Sequence, residues 1–355
     1  MNKVTETVLI LGSALIAVAL IVFGVYILNA HDENVEVIVE EVPAGEQGAR
    51  DDEGLSEKQV PETIVTFTIN TQDFSYPEKS AETLSQLLEL HETYNIPLSI
   101  SFTHAMIDYY SQEQPELWER LANSPLMSFG YHIRPPLPYH SSTPHSPGTE
   151  SLTDEELQDY ILSFETHGLD LETGISTQEP GGFGLLVDLL GDRPYTVGVS
   201  VDDRLRKVLE VYADLGAAFF AGYTGEMWLG ERIGPLHVRP EQEEIKAFER
   251  TDEDPEEVLR RAIEGAPMQE GVPTFVNVKM HDNDFFAEQS AWTAVYLSAK
   301  SRRLGAPFDL SQASVLLETE QQEEIWMFYE DLLKTVAEDG DLATMSVEGV
   351  QNLLK

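Results

Sequence analysis

The chain contains no cysteine. That excludes disulfides and thiolate metal sites, so any transition metal would be held by histidine and carboxylate. Basic residues are scarce: 22 lysines and arginines stand against 63 aspartates and glutamates, a formal charge of −41. A field of that sign repels nucleic acid and anionic lipid, so neither is an expected partner of the soluble part. It also suits a salt-rich setting, where screening over about 10 Å or less relieves self-repulsion. Long apolar runs are rare too, with one exception. Val8–Leu28 is 21 residues without a charge, close to the ~20 that a helix needs to cross a bilayer. Lys3 precedes it and His31, Asp32 and Glu33 follow, which places the N-terminus in the cytoplasm. A cleaved signal peptide has an apolar core of only ~7–15 residues and small residues at the cut, unlike Leu28-Asn29-Ala30. The expectation is a single-pass cell-membrane protein with an extracytoplasmic domain.

Three regions follow from composition. Residues 1–30 are a cytoplasmic N-terminus and transmembrane anchor, 31–62 an acidic spacer, and 63–355 a folded domain. The spacer holds eleven acids and two bases, too little apolar surface to offset chain entropy. Within it, Val35–Val39 has the pattern of an isolated strand. From Ile64 the sequence alternates between β-branched runs and helical spacing. Strands are expected at Ile64–Ile69, Pro97–Phe102, Leu126–Tyr131, Tyr195–Val201, Ala217–Ala221 and Thr274–Met280. Helices are expected at Ser80–Tyr94, Thr153–His167, Gly184–Leu190, Leu205–Leu215, Pro255–Ile263, Ala291–Arg303 and Glu320–Glu338. Repeated strand–helix units of this number imply an α/β fold with a parallel sheet closed into a barrel.

In such barrels the chemistry sits at the C-terminal ends of strands. Three expected strands end in groups able to bind metal or move protons: Asn70-Thr71-Gln72-Asp73, Gly130-Tyr131-His132, and His281-Asp282-Asn283-Asp284. Carboxylate with imidazole suits zinc or a similar ion, and His281 suits proton transfer near neutrality. The structural alternatives are plain. Asp73 caps the turn after its strand, His132 is a satisfied loop histidine, and residues 281–284 are a polar turn. Pro135–Thr149, rich in proline and carrying His140 and His145, reads as an ordered loop beside the site.

Read together, Thr66–Phe74, Glu82–Leu90, Tyr94–Phe102, Met127–His132, Pro180–Gly184 and Val278–Asp282 resemble the polysaccharide deacetylases. These are metal-dependent carbohydrate esterases with a distorted (β/α)7-type barrel, and the likeness spans about residues 63–355. The resemblance implies Asp73 and His132 as metal ligands, with His140 or His145 for a histidine whose usual place is taken by Pro136. It implies a divalent metal, Zn foremost, His281 and Asp282 as catalytic groups, and Asn70, Tyr131 and Glu179 as substrate-binding groups. The substrate it implies is an acetylated polysaccharide or oligosaccharide, and the reaction hydrolysis of a carbon–nitrogen bond.

Three positions depart from the family pattern. The general-base aspartate is replaced by Asn70 or Gln72, the second histidine by Pro136, and the third-motif arginine by Gln178 or Glu179. An amide takes no proton from water, and such a base contributes about 10²–10⁴-fold. Glu179, Asp202 and Asp282 are the candidates to replace it. Two rival readings stand beside the esterase. One is a catalytically silent barrel that binds a glycan or protein, with Tyr131, Tyr139, Trp228 and Trp292 as stacking surfaces. The other is a glycan hydrolase using Glu179 and Asp202 as paired carboxylates.

Overall fold

The chain divides into two units, Met1–Glu53 and Gly54–Lys355. A computed structural model describes residues 61–140, 149–199, 205–221, 227–298, 300 and 304–355, all in the second unit. The expected anchor, and the spacer up to residue 60, lie outside the described residues, as do His145 and Asp202. Among the described residues no helix is long and apolar enough to cross a membrane.

The second unit is built on parallel strands β1 (Thr63–Thr71), β2 (Leu98–Phe102), β3 (Met127–His132), β6 (Tyr195–Gly198), β7 (Ala217–Ala221), β9 (Leu236–Arg239), β10 (Glu243–Lys246) and β11 (Thr274–His281). Their order is β10-β11-β1-β2-β3-β6-β7-β9, extended at one edge by the antiparallel β8 (Arg232–Ile233). The short β12 (Ala343–Thr344) also pairs with β1. A separate hairpin, β4 (His167–Asp170) and β5 (Ile175–Pro180), stands off the main sheet. The two edges of the curled sheet are joined by chain rather than by a shared ladder. β9 pairs with β7 and β10 with β11, and only Pro240, Glu241 and Gln242 separate β9 from β10. Gln242 stitches this seam, its backbone N–H donating to Phe275 O and its Oε1 accepting from Phe275 N–H. The expected seven-stranded barrel is therefore a curled sheet with a seam, one bent stretch serving both edges.

Period-two alternation sorts the side chains of β1. Val65, Phe67 and Ile69 face the helical layer and join the main core with Leu84, Leu87 and Leu88 of α1 (Pro77–Tyr94) and Leu332 and Leu333 of α8 (Thr319–Glu338). Phe67 meets His91 and Tyr329 edge-on, at 5.4 and 6.1 Å between centroids. α1 begins on Pro77 and stops at Asn95, whose φ of 53° gives the left-handed cap. The opposite face of the sheet changes character along its length. At the strands' N-terminal end Ile64, Phe219 and Phe275 pack against Val347 and Val350 of the helix Val347–Leu353. Above them Thr66 and Thr68 donate to Asn277 Oδ1, at 3.1 and 2.9 Å. Higher still the interior becomes charged.

The sequence left three helices unread, α2 (His104–Glu113), α3 (Pro115–Asn123) and Val347–Leu353, together with the β4–β5 hairpin, β8 to β10 and β12. The expected helix over 291–303 is present in part. Residues Thr293–Leu297 form a π-helical turn, and 299 and 301–303 lie outside the described residues.

Candidate functional site

The site is the upper interior of the curled sheet and the mouth above it. A cavity there is lined by Thr68, Asn70, Ser101, His132, Gly198, Ala221, Arg239, Glu241 and Lys279, residues from β1, β2, β3, β6, β7, β9, β11 and the seam. Buried and half-buried ion pairs cross one wall: Lys279 Nζ lies 2.5 Å from Glu244 and 4.0 Å from Glu241, and Arg239 Nη2 lies 3.3 Å from Glu241.

His132 is 4% exposed, and its Nε2 has no hydrogen-bond partner. Burial pushes its pKa well down, and the neighbouring Arg134, His281, Lys279 and His140 push it the same way. A Cβ on Gly198 would lie 2.8 Å from His132 Nδ1, so glycine is what lets the ring lie flat against β6. His140 is also buried, and its pKa is lowered to about 3 by burial and by Arg134. His281 closes β11 opposite Asn70. Asp284 Oδ2 holds it twice, accepting from the His281 backbone N–H at 2.7 Å and lying 3.0 Å from Nδ1. That fixes the ring at the C-terminal end of β11. At the rim Gln72 Nε2 donates to Asn283 Oδ1 at 3.0 Å, and Arg134 Nε donates to Gln72 Oε1 at 2.9 Å. The Arg134 guanidinium lies 4.6 Å over the Trp292 ring.

The other expected groups are placed elsewhere. Asp73 is fully buried. Its Oδ1 accepts backbone N–H groups of Ser75 and Tyr76, and its Oδ2 that of Ala291, all at 3.0 Å. It is a turn cap, and burial together with the nearby Asp282 raises its pKa to about 7. Asp282, expected to be catalytic, is a joint. It is fully buried and accepts from the backbone N–H of Gln72, Asp73 and Asn283 and from Ser80 Oγ. A carboxylate so enclosed and so engaged has neither room nor spare acceptors for substrate. Tyr131, expected to bind substrate, alternates to the helical side of β3. It packs there against Phe183 at 5.7 Å and Tyr212 at 6.0 Å. Glu179 is exposed on β5, off the sheet that carries the site.

A zinc centre needs three or four converging donors. Among the described residues no three histidine, aspartate or glutamate side chains stand where they would share an ion. Both oxygens of Asp73 are already held by backbone N–H groups. The set Asp73, His132 and His140 therefore does not fit a metal centre.

The sequence reading gave no role to Arg134, Arg239, Glu241 or Lys279, and offered Asp284 only as a cation ligand or part of a polar turn. Counting back by two from His281 reaches Lys279 and Asn277, so alternation alone points Lys279 inward. Glu241 carried no such signal, because it lies in the seam between strands.

No described protein family and no curated protein matches the chain by sequence. Solved structures similar to it include a putative polysaccharide deacetylase from Mycobacterium smegmatis, 10% identical with a TM-score of 0.48, covering 84% of this chain and 92% of that one. A probable polysaccharide deacetylase from Pseudomonas aeruginosa PAO1 is 12% identical with a TM-score of 0.45, covering 82% and 90%. The 4-alpha-glucanotransferase from Thermococcus litoralis is 8% identical with a TM-score of 0.48; the match covers 82% of this chain but only 40% of that one. All three TM-scores fall below 0.5, so the fold described here rests on its own strand order and register.

Proposed function

We propose that the chain is a carbohydrate hydrolase of the deacetylase type whose proton-transfer group is His281, held by Asp284. We further propose that Val8–Leu28 tethers it to the cell membrane with the barrel outside. The observation that carries the reading is the Asp284–His281 pair at the C-terminal end of β11, facing Asn70 above a polar cavity. In this reading His281 Nε2 takes a proton from water, and the water oxygen attacks the acetyl carbonyl carbon. As the carbon–nitrogen or carbon–oxygen bond to the sugar breaks, the same nitrogen returns its proton to the leaving group. The products are acetate and a free amine or hydroxyl. Asp284 orients the ring and stabilises its charged form. No step is assigned to a metal ion, since the described donors do not form a centre for one.

Asn70 supports a second reading, a silent barrel that binds glycan. It occupies a wall of the cavity with an amide where the resemblance calls for an acid. One assay separates the two: release of acetate from acetylated chito-oligosaccharides by the full chain, with and without chelator. The hydrolase reading expects release that survives chelation and falls at least ~10²-fold in His281→Ala, the usual scale for a lost acid–base group. Oligosaccharide binding without any release would establish the silent barrel instead.

A further inference from the structure

An unbroken chain of hydrogen bonds runs along the mouth. Arg134 Nε–H donates to Gln72 Oε1 at 2.9 Å, and Gln72 Nε2–H donates to Asn283 Oδ1 at 3.0 Å. Asn283 Nδ2–H donates in turn to Asp284 Oδ1 at 3.2 Å, and Asp284 Oδ2 lies 3.0 Å from His281 Nδ1. Every donor along it points the same way, from the guanidinium over Trp292 toward the carboxylate. Chemistry dictates that direction. A guanidinium only donates and a carboxylate only accepts, so two amides between them must align head to tail. Both amides are buried, Gln72 at 3% and Asn283 at 4% exposed, where a reversed amide would leave polar atoms unpaired. Asp282 sets their spacing. Its Oδ1 accepts from the backbone N–H of Gln72 at 3.0 Å and of Asn283 at 2.9 Å, holding the end of β1 in step with the turn after β11.

We propose that Arg134, Gln72 and Asn283 form a positioning relay for Asp284 and His281, and that Gln72 is an amide because its place in the relay needs a donor and an acceptor at once.

The resemblance leaves Gln72 as a lost base, whereas the relay gives it a task that an acid could not perform. A carboxylate in its place could accept from Arg134 but would offer nothing to Asn283 Oδ1. Asn283 could satisfy that carboxylate only by turning its Nδ2 away from Asp284, and the relay would break. Asp284 is held at both oxygens, one by Asn283 and one by His281. Releasing the first lets the carboxylate turn, and the imidazole loses a fixed partner. The effect on rate rests on the hydrolase reading; the relay itself rests on these bonds.

The test compares the full chain in detergent micelles with Gln72→Glu and Asn283→Leu, each close in shape to the residue it replaces. Two quantities are read. One is acetate release from acetylated chito-oligosaccharides. The other is solvent exchange of the His281 Nδ1 proton, followed by NMR of ¹⁵N-histidine-labelled protein and assigned with His281→Ala. Each variant is expected to lower kcat about tenfold with KM little changed, and to speed that exchange about tenfold, the scale of one lost hydrogen bond to a charged group. Because the residues act in series, the double variant should be no worse than Asn283→Leu alone. A vestigial base predicts the reverse for Gln72→Glu, so a restored carboxylate that raises kcat would overturn the relay. So would His281 proton exchange equal to the parent's in Gln72→Glu, or losses that add in the double variant. Should Asn283→Leu fail to fold, Gln72→Glu decides together with the uncharged Gln72→Met, which must also speed the exchange. A parent that releases no acetate sinks the hydrolase reading alone, and the proton-exchange comparison still decides the relay.

Discussion

The two faces of β1 make the most informative comparison in the molecule. One face presents Val65, Phe67 and Ile69 to helices, while the other presents Thr66, Thr68 and Asn70 to the interior. Residues next to one another in sequence thus serve opposite purposes. The apolar face carries the burial that drives folding. The polar face contributes less to stability and borders groups on nearby strands that are incompletely satisfied, Asn277 Nδ2 and His132 Nε2 among them, as expected where a site is being built. Both meet at the strand end, where the Asp282 carboxylate ties β1, α1 and β11 together.

This contrast can be broken from either side. On the helical side Phe67→Ala removes a ring packed between His91 and Tyr329; we expect a loss of ~3–5 kcal/mol in denaturant unfolding. Asp282→Asn keeps the shape of the joint but turns one acceptor into a donor facing backbone N–H groups. The expected cost is ~1–3 kcal/mol, with reduced protection of the Gln72 and Asp73 amides in hydrogen exchange. On the interior side Thr68→Val deletes one of the two hydroxyls on Asn277 and should cost only about 1 kcal/mol. If it matched Phe67→Ala, the proposed division of labour between the faces would be wrong.

A separate effect concerns pH. The Asp73 carboxyl titrates at about 7 in the folded chain against an ordinary 3.8, so the folded state binds its proton more tightly than the unfolded chain does. Its contribution to stability is complete below about pH 4 and is lost as pH rises through about 7. The melting temperature should therefore fall between pH 5 and pH 8, and Asp73→Asn should flatten that part of the profile.

Much of the outer layer was legible because apolar periodicity is redundant. Ile64–Ile69, Leu84 with Leu87 and Leu88, and the run near Glu320–Glu338 each announce an element several times over. α2 and α3 escaped because their apolar spacing is interrupted by Tyr109, Tyr110 and the Gln114-Pro115 junction. The seam escaped because its two short strands share neighbours that sequence cannot name. The site was legible in location and only partly in role. His132, His281 and Asn70 were correctly expected near strand ends. Asp73, Asp282 and Tyr131 were not separable from site residues, because a buried cap, a joint and a packed ring use the same residue types as a ligand, a base and a stacking platform. Burial and hydrogen-bond partners decide between them, and neither is written in local sequence.

The helix Val347–Leu353 carries one further consequence. Its Val347 N–H donates to Ser128 Oγ, which in turn donates to Glu348, and its valines pack beneath Ile64, Phe219 and Phe275. Among the described residues, that floor closes the interior at the N-terminal end of the strands. Removing the floor by Val350→Asp would therefore open the sheet from below, at the end opposite His281.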